Sequence, residues 1–201
     1  GIDVLEWAFS YLARKKFIEP KQIEAGFPKN TLVEKSSRRS EVFLKGTVSD
    51  QVNLILRNGD IIEELRDEVQ SFEYDLTIIG GSGKRSMAHD LIQYIDSSIF
   101  VVNNFNLKHK YRILLAVDDS PGTSKVVKFG VRVAQAFNIE VDLITISKDG
   151  DFSEKFRIAS SRAEKMMRRS GVTAKVKFSE GELVNTLVDI AGDNHIIIMG
   201  T

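Results

Sequence analysis

Two short stretches carry residues whose types and spacing suit chemistry. Gly80-Gly81-Ser82-Gly83-Lys84-Arg85-Ser86 follows the apolar run Leu76-Thr77-Ile78-Ile79. Glycines at a strand end let backbone N–H groups surround an anion, and adjacent cations would complement it. The same stretch reads equally as a plain turn with a solvated basic rim. It is not a Walker A loop: the glycine needed five residues before Gly83 is Ile78, and the residue after Lys84 is Arg85 rather than Ser or Thr. Asp118-Asp119-Ser120 closes a second apolar run, 113–117. A carboxylate at the carboxyl end of a buried strand stands where α/β sheets bind ligands, with helix capping as the plainer role. Asp119 and Ser120 read as cap and turn residues.

Other chemistries find no residues to carry them. The chain has no cysteine, which excludes disulfides, thiolate metal sites and cysteine nucleophiles. His89, His109 and His195 share no ligand spacing, so no metal site is expected. No Ser–His–Asp set or carboxylate pair assembles, so an enzyme is not expected. Lys+Arg and Asp+Glu both total 28 in 201 residues, and that balance argues against nucleic acid as a partner. Hydrophobic content of 42% and charged content of 28% describe a globular chain. Its apolar runs are strand-sized, and Gly1-Ile2-Asp3 does not open a signal peptide, so a soluble cytoplasmic protein is expected.

The elements that must position these residues occur twice. Leu54-Ile55-Leu56-Arg57-Asn58-Gly59-Asp60 leads into a helical stripe of Ile61, Ile62, Leu65, Val69 and Phe72, then Tyr74-Asp75-Leu76-Thr77-Ile78-Ile79-Gly80. Val176-Lys177-Phe178-Ser179-Glu180-Gly181-Glu182 leads into Leu183, Leu187, Ile190 and Ala191, then Asn194-His195-Ile196-Ile197-Ile198-Met199-Gly200. Asp60 and Glu182 stand where a carboxylate supports the first turn of a helix. His195 matches Asp75 and marks where a strand opens. Val4, Leu5, Ala8 and Leu12 match Val126, Val127, Gly130 and Ala134 at nearly the same offset.

The polar stretch 103–110 divides the chain into domains 1–106 and 107–201. The second domain is predicted to run strand 113–117, helix 123–136, strand 140–146, helix 151–169, strand 173–178, helix 182–192 and strand 195–199. Such alternation implies a parallel sheet covered on both faces. In the first domain, 30–46 is predicted to be a helix, with Asn30 as cap and Gly46 as stop. Residues 19–24 do not read as a strand equivalent to 141–147. Arg38-Arg39 and Arg168-Arg169 are expected on exposed helix faces. The first domain is expected to lack the strand equivalent to 113–117, and the second the glycine loop and last strand equivalent to 81–103.

Val117-Asp118-Asp119-Ser120, Glu182 after Gly181, and Ile196-Ile197-Ile198-Met199-Gly200-Thr201 together resemble the universal stress protein family. The resemblance covers the whole second unit and the first from about Asn30. It implies an α/β fold of two flavodoxin-like domains, of the adenine nucleotide alpha hydrolase-like type, with parallel sheets in strand order 3-2-1-4-5. In nucleotide-binding members an acid ends the first strand, backbone at the end of the second meets adenine, and a glycine loop after the fourth holds phosphate. Carried over, Asp118 takes the acidic role beside Ala116, Ile146 meets adenine, and Met199 and Gly200 open the phosphate loop. In the first domain Gly80, Gly83 and Ser86 are weaker candidates, because the loop is short by about seven residues and Arg85 replaces a glycine.

The resemblance implies a stress-response regulator that binds ATP or AMP and acts through conformation or partner binding, with at most slow ATP hydrolysis. The alternative is a dimerisation or regulatory module without nucleotide, including the soluble tail of a transporter. Pairing of two chains, or of the two domains, is expected through the strand 98–103, where Ile99, Phe100 and Val101 leave little polarity to guard an edge.

Overall fold

The computed structural model describes residues 1–23, 27–81, 85–103, 105–106 and 108–200. The chain divides into two compact units, Gly1–Phe105 and Asn106–Thr201. Unit 1 runs α1 (Ile2–Arg14), β1 (Lys21–Gln22), β2 (Thr31–Ser36), β3 (Arg39–Phe43), β4 (Thr47–Val48), β5 (Ile55–Arg57), α2 (Ile61–Phe72), β6 (Leu76–Gly80), α3 (Arg85–Tyr94) and β7 (Ser98–Val102). Unit 2 runs β8 (Arg112–Ala116), α4 (Thr123–Phe137), β9 (Val141–Ser147), α5 (Glu154–Arg169), β10 (Ala174–Glu180), α6 (Leu183–Ala191) and β11 (His195–Ile198).

Unit 2 is a parallel α/β layer. Its sheet has the order β10-β9-β8-β11, all neighbours parallel, which is 3-2-1-4 counted along the unit. Alternate side chains leave opposite faces of a strand. Ile113 and Leu115 of β8, with Val141 and Leu143 of β9, therefore pack against Val127, Val131 and Ala134 of α4 and Met167 of α5. Leu114 and Ile144 point the other way, onto Leu187 and Ala191 of α6. Each such fully buried leucine or isoleucine contributes about 1.5–3 kcal/mol. Gly130 lets α4 approach closely, because a Cβ there would overlap Leu115 Cδ1.

Unit 1 overturns the expectation of a parallel sheet in both domains. Its largest sheet is antiparallel, in the order β2-β3-β5, beside a parallel pair β6-β7 and a short antiparallel pair β1-β4. The strand order 3-2-1-4-5 therefore does not hold here. The predicted helix at 30–46 is the hairpin β2–β3, with Leu32 opposite Val42 and Val33 opposite Glu41. The reason is the eight polar residues 34–41, which separate Leu32 and Val33 from Val42 and Phe43. No apolar residue recurs there at i+3 or i+4 to give a helix a buried stripe, whereas cross-strand pairing joins the two ends directly.

The small core of unit 1 gathers Phe9 and Leu5 of α1, Ile18, Val42, Leu44 and Leu54. Of the α1 stripe expected from the repeat, Val4 is exposed and Phe9 takes the buried place. A second cluster packs Val69 of α2 against Leu91 and Ile95.

Candidate functional site

The sheet of unit 2 positions the predicted site residues at its carboxyl edge. Ala116, half-buried, ends β8 opposite Ile144. Val117 N–H donates to the Ile144 carbonyl at 2.8 Å, and Thr145 Oγ1 donates to the Val117 carbonyl at 3.1 Å. That lock fixes the backbone from which Asp118 emerges. On one side lies the end of β9, with Ile146 half-buried and in register with Ser179 of β10. On the other lies β11, where Ile198 pairs with Leu115, so Met199 and Gly200 continue past the ends of both strands. Sheet order reverses between β8 and β11, since β9 and β10 follow on one side and β11 returns to the other. Such a reversal opens the crevice in which α/β sheets receive ligands.

Gly200 comes close to the start of α4: a Cβ there would lie 2.8 Å from Val126 Cγ2. The exit of β11 thus passes over the first turn of α4, whose N-terminal end carries positive dipole charge. Asp118, the first turn of α4 and Gly200 therefore lie together at the carboxyl edge of the sheet.

Asp118 is exposed, and its Oδ1 accepts from Ser120 N–H at 3.1 Å, Ser120 Oγ at 2.6 Å and Thr123 Oγ1. Burial pushes its carboxyl upward, but the Ser120 and Thr123 hydroxyls and the Ser120 N–H outweigh it and hold the group below the usual aspartate value. Its Oδ2 has no partner among the described residues. The helix cap is Gly122, so Asp119 and Ser120 belong to the turn that precedes α4.

The weaker candidates lie in unit 1. Gly80 ends β6 opposite Val102, and Gly81 N–H donates to the Val102 carbonyl at 2.7 Å. A Cβ on Gly80 would meet nothing within 4 Å, so packing does not require glycine there. Among the described residues β6 pairs with β7 alone, and no acid-bearing strand end stands beside it as Asp118 does in unit 2. Gly83 and the Ser86 side chain lie outside the described residues.

Two charged clusters escaped the sequence reading. At the amino edge of the unit 2 sheet, Asp142 of β9 is 3% exposed. Arg112 grips it at 3.1 and 2.9 Å, and His195 Nε2 lies 3.2 Å from its Oδ2. A lone acid inside Val141-Asp142-Leu143-Ile144 was the available signal, because a charge in a buried strand requires a partner. In unit 1, Arg39 lies on β3 and forks onto Glu68 of α2, which corrects its assignment to an exposed helix face. Hairpin pairing turns it toward α2. Among the described residues no three His, Asp or Glu side chains converge as metal ligands, and no helix is long and apolar enough to cross a membrane.

Neither a protein-family model nor a curated protein matches the chain. Among solved structures, a universal stress protein from Archaeoglobus fulgidus DSM 4304 aligns with a TM-score of 0.52 at 15% identity, over 71% of this chain and 55% of that protein. Another universal stress protein from Archaeoglobus fulgidus aligns at TM-score 0.40 and 20% identity, over 44% of this chain and 74% of its own. A protein of the universal stress protein family from Burkholderia pseudomallei aligns at 0.38 and 22%, over 46% and 83%. This chain spans about half the length of the first of the three. Over the aligned share it has the fold of a universal stress protein.

Proposed function

We propose that the chain is a stress-response regulator of the universal stress protein family, acting in the cytoplasm, whose second unit binds an adenine nucleotide, ATP or AMP. The observation that carries this reading is the carboxyl-edge crevice of unit 2, where Asp118 keeps one carboxylate oxygen uncommitted beside Gly200 and the first turn of α4. An ionised carboxylate accepts hydrogen bonds, which suits a ribose hydroxyl or an adenine amino group. Backbone at Ile146 and Ala116 would border the base, and Met199 and Gly200 would lead backbone toward the phosphates. The start of α4 favours their negative charge. In this reading occupancy of the crevice, rather than turnover, carries the signal.

Calorimetric titration of ATP tests the reading. Asp118→Ala should weaken affinity by about 1–3 kcal/mol. Asp118→Asn keeps a carbonyl acceptor for Ser120 and Thr123 and separates loss of the ligand contact from loss of the turn. Unchanged affinity in both variants sinks the assignment.

A second reading is a pairing module without nucleotide. It is supported by β7, which pairs with β6 alone among the described residues and leaves Val101 37% exposed. A homodimer, or a pairing of the two units, through Ser98–Val102 would shield that edge. Mass spectrometry of small molecules released from the denatured protein separates the two readings.

A further inference from the structure

The antiparallel sheet of unit 1 is tied to α2 by an ionic network with an uneven count. Arg39 forks onto Glu68 at 2.9 and 3.0 Å, and Arg57 reaches Glu64 and Glu68 at 2.6 Å each. Arg38 meets Glu64 at 3.0 Å. Three guanidiniums thus face two carboxylates, both buried, and one positive charge is left uncompensated. Two further pairs lie nearby, Lys35 with Glu41 at 3.0 Å and Asp67 with Arg66 at 3.7 Å.

Two of the three guanidiniums face an open space. Arg39 and Arg57 line a cleft of about 490 Å3, together with Lys35, Ser36, Gln70, Phe72 and one acid, Asp67. That size falls within the range of small-ligand sites. Each guanidinium keeps one nitrogen that no described residue takes, Nη1 of Arg39 and Nη2 of Arg57. The two side chains are 13% and 18% exposed, and both border the cleft. Glu68 and Glu64 hold the two planes rigid, and the Arg39 guanidinium also lies 4.5 Å from the centre of the Phe72 ring. Pre-oriented N–H groups on paired guanidiniums match the oxygens of phosphate or carboxylate, which they can bridge.

The geometry points to an anion site in unit 1: Arg39 Nη1 and Arg57 Nη2 receive the phosphate or carboxylate group of a small molecule, whose apolar part lies along Phe72. This site is separate from the crevice at Asp118 and does not depend on the nucleotide reading.

The test uses the whole chain and two probes, inorganic phosphate and acetate, in low-chloride buffer. Binding is followed through the Arg Nε–H signals in NMR spectra, assigned with Arg39→Lys and Arg57→Lys. Both signals should shift and saturate, and the probe with the tighter affinity identifies the anion class. Gln70→Glu adds a negative charge to the cleft wall without removing an ion pair, and should weaken binding roughly tenfold. Asp67→Asn removes a negative charge from that wall, releases Arg66, and should strengthen binding. Asp118→Ala should leave both signals and affinities unchanged. Arginine signals that fail to move with either probe, or affinities indifferent to Gln70→Glu and Asp67→Asn, overturn the proposal. If Gln70→Glu fails to fold, Asp67→Asn decides alone.

Discussion

The two copies of the strand–Gly–acid–helix–strand motif share their local structure and differ in where their first strand goes. Asp60 and Glu182 cap their helices with nearly the same backbone, φ −68° and ψ 131° against φ −72° and ψ 131°. Each helix then delivers a parallel-paired strand, β6 or β11. Yet β10 runs parallel to β9 over seven rungs, whereas β5 runs antiparallel to β3. What differs is the available neighbour. β9 is buried along nearly its whole length and can stand at the centre of a sheet, while 19–24 in unit 1 is polar and cannot. The hairpin β2–β3 supplies the edge instead. A strand pairs with whatever apolar strand the rest of the chain provides.

The largest expected effects come from the charged clusters, which bind each sheet in a different way. Asp142→Ala strands His195 and leaves Arg112 with Glu140 alone at the head of the parallel sheet, and should cost about 3–5 kcal/mol by urea denaturation. Glu68→Ala strands Arg39, leaves Arg57 with Glu64 alone, and should fall toward the lower end of that range, because its side chain is 12% exposed against 4% for Asp142. A loss under about 1 kcal/mol in either would place that cluster with ordinary surface pairs.

Leu143→Ala, at 1% exposure in the centre of β9, should cost about 2–5 kcal/mol. Leu56→Ala in β5, half-buried, should cost less. Equal losses would remove the contrast between a central and a peripheral strand.

Acid should weaken both units. In Asp142 burial pushes the carboxyl upward, but hydrogen bonds from Arg112 and His195 outweigh it; in Glu68 burial is likewise outweighed by Arg39 and Arg57. Both groups therefore ionise at lower pH in the folded chain. Their stabilisation is whole above the unfolded values of about 3.9 and 4.3, and fades as pH falls through the lowered folded ones. Thermal midpoints should hold steady from neutral pH to about pH 5 and drop below about pH 4, less steeply in Asp142→Asn. A wild-type acid limb unaltered by that substitution contradicts the assignment.

The smallest effects separate the caps. Asp60 accepts two N–H groups, from Ile62 at 3.0 Å and Glu63 at 3.2 Å, whereas Glu182 accepts one, from Asn185 at 2.9 Å. Asp60→Ala should cost about 1 kcal/mol and Glu182→Ala less, measured by hydrogen exchange in the first turns of α2 and α6. The reverse order would show that the longer side chain caps better here.

The strands and helices of unit 2, both caps, and the place of Asp118 at a strand end were legible because each rests on residues within one or two turns of one another. Leu114 alternating with Ile113 and Leu115 announces a strand covered on both faces before any partner is known. The hairpin at 31–43 was only half legible: Asn30 and Gly46 offer helix ends, the eight polar residues 34–41 tell against a helix, and only the cross-strand contacts of Val42 name the partner strand. The crevice was not legible, since the approach of Gly200 to Val126 joins residues from opposite ends of unit 2.

By itself the sequence determined the alternation of helices and strands in unit 2, the twofold motif with its carboxylate caps, and the absence of thiol chemistry. These follow from periodicity, capping and composition, which act over a few residues. Tertiary structure alone decided that β5 joins an antiparallel sheet, that Arg39 faces Glu68 across 29 residues, and that Arg112 clasps Asp142 across 30. An ion pair or a strand pairing is chosen by which surfaces meet when apolar faces are buried, and no short window of sequence holds both partners.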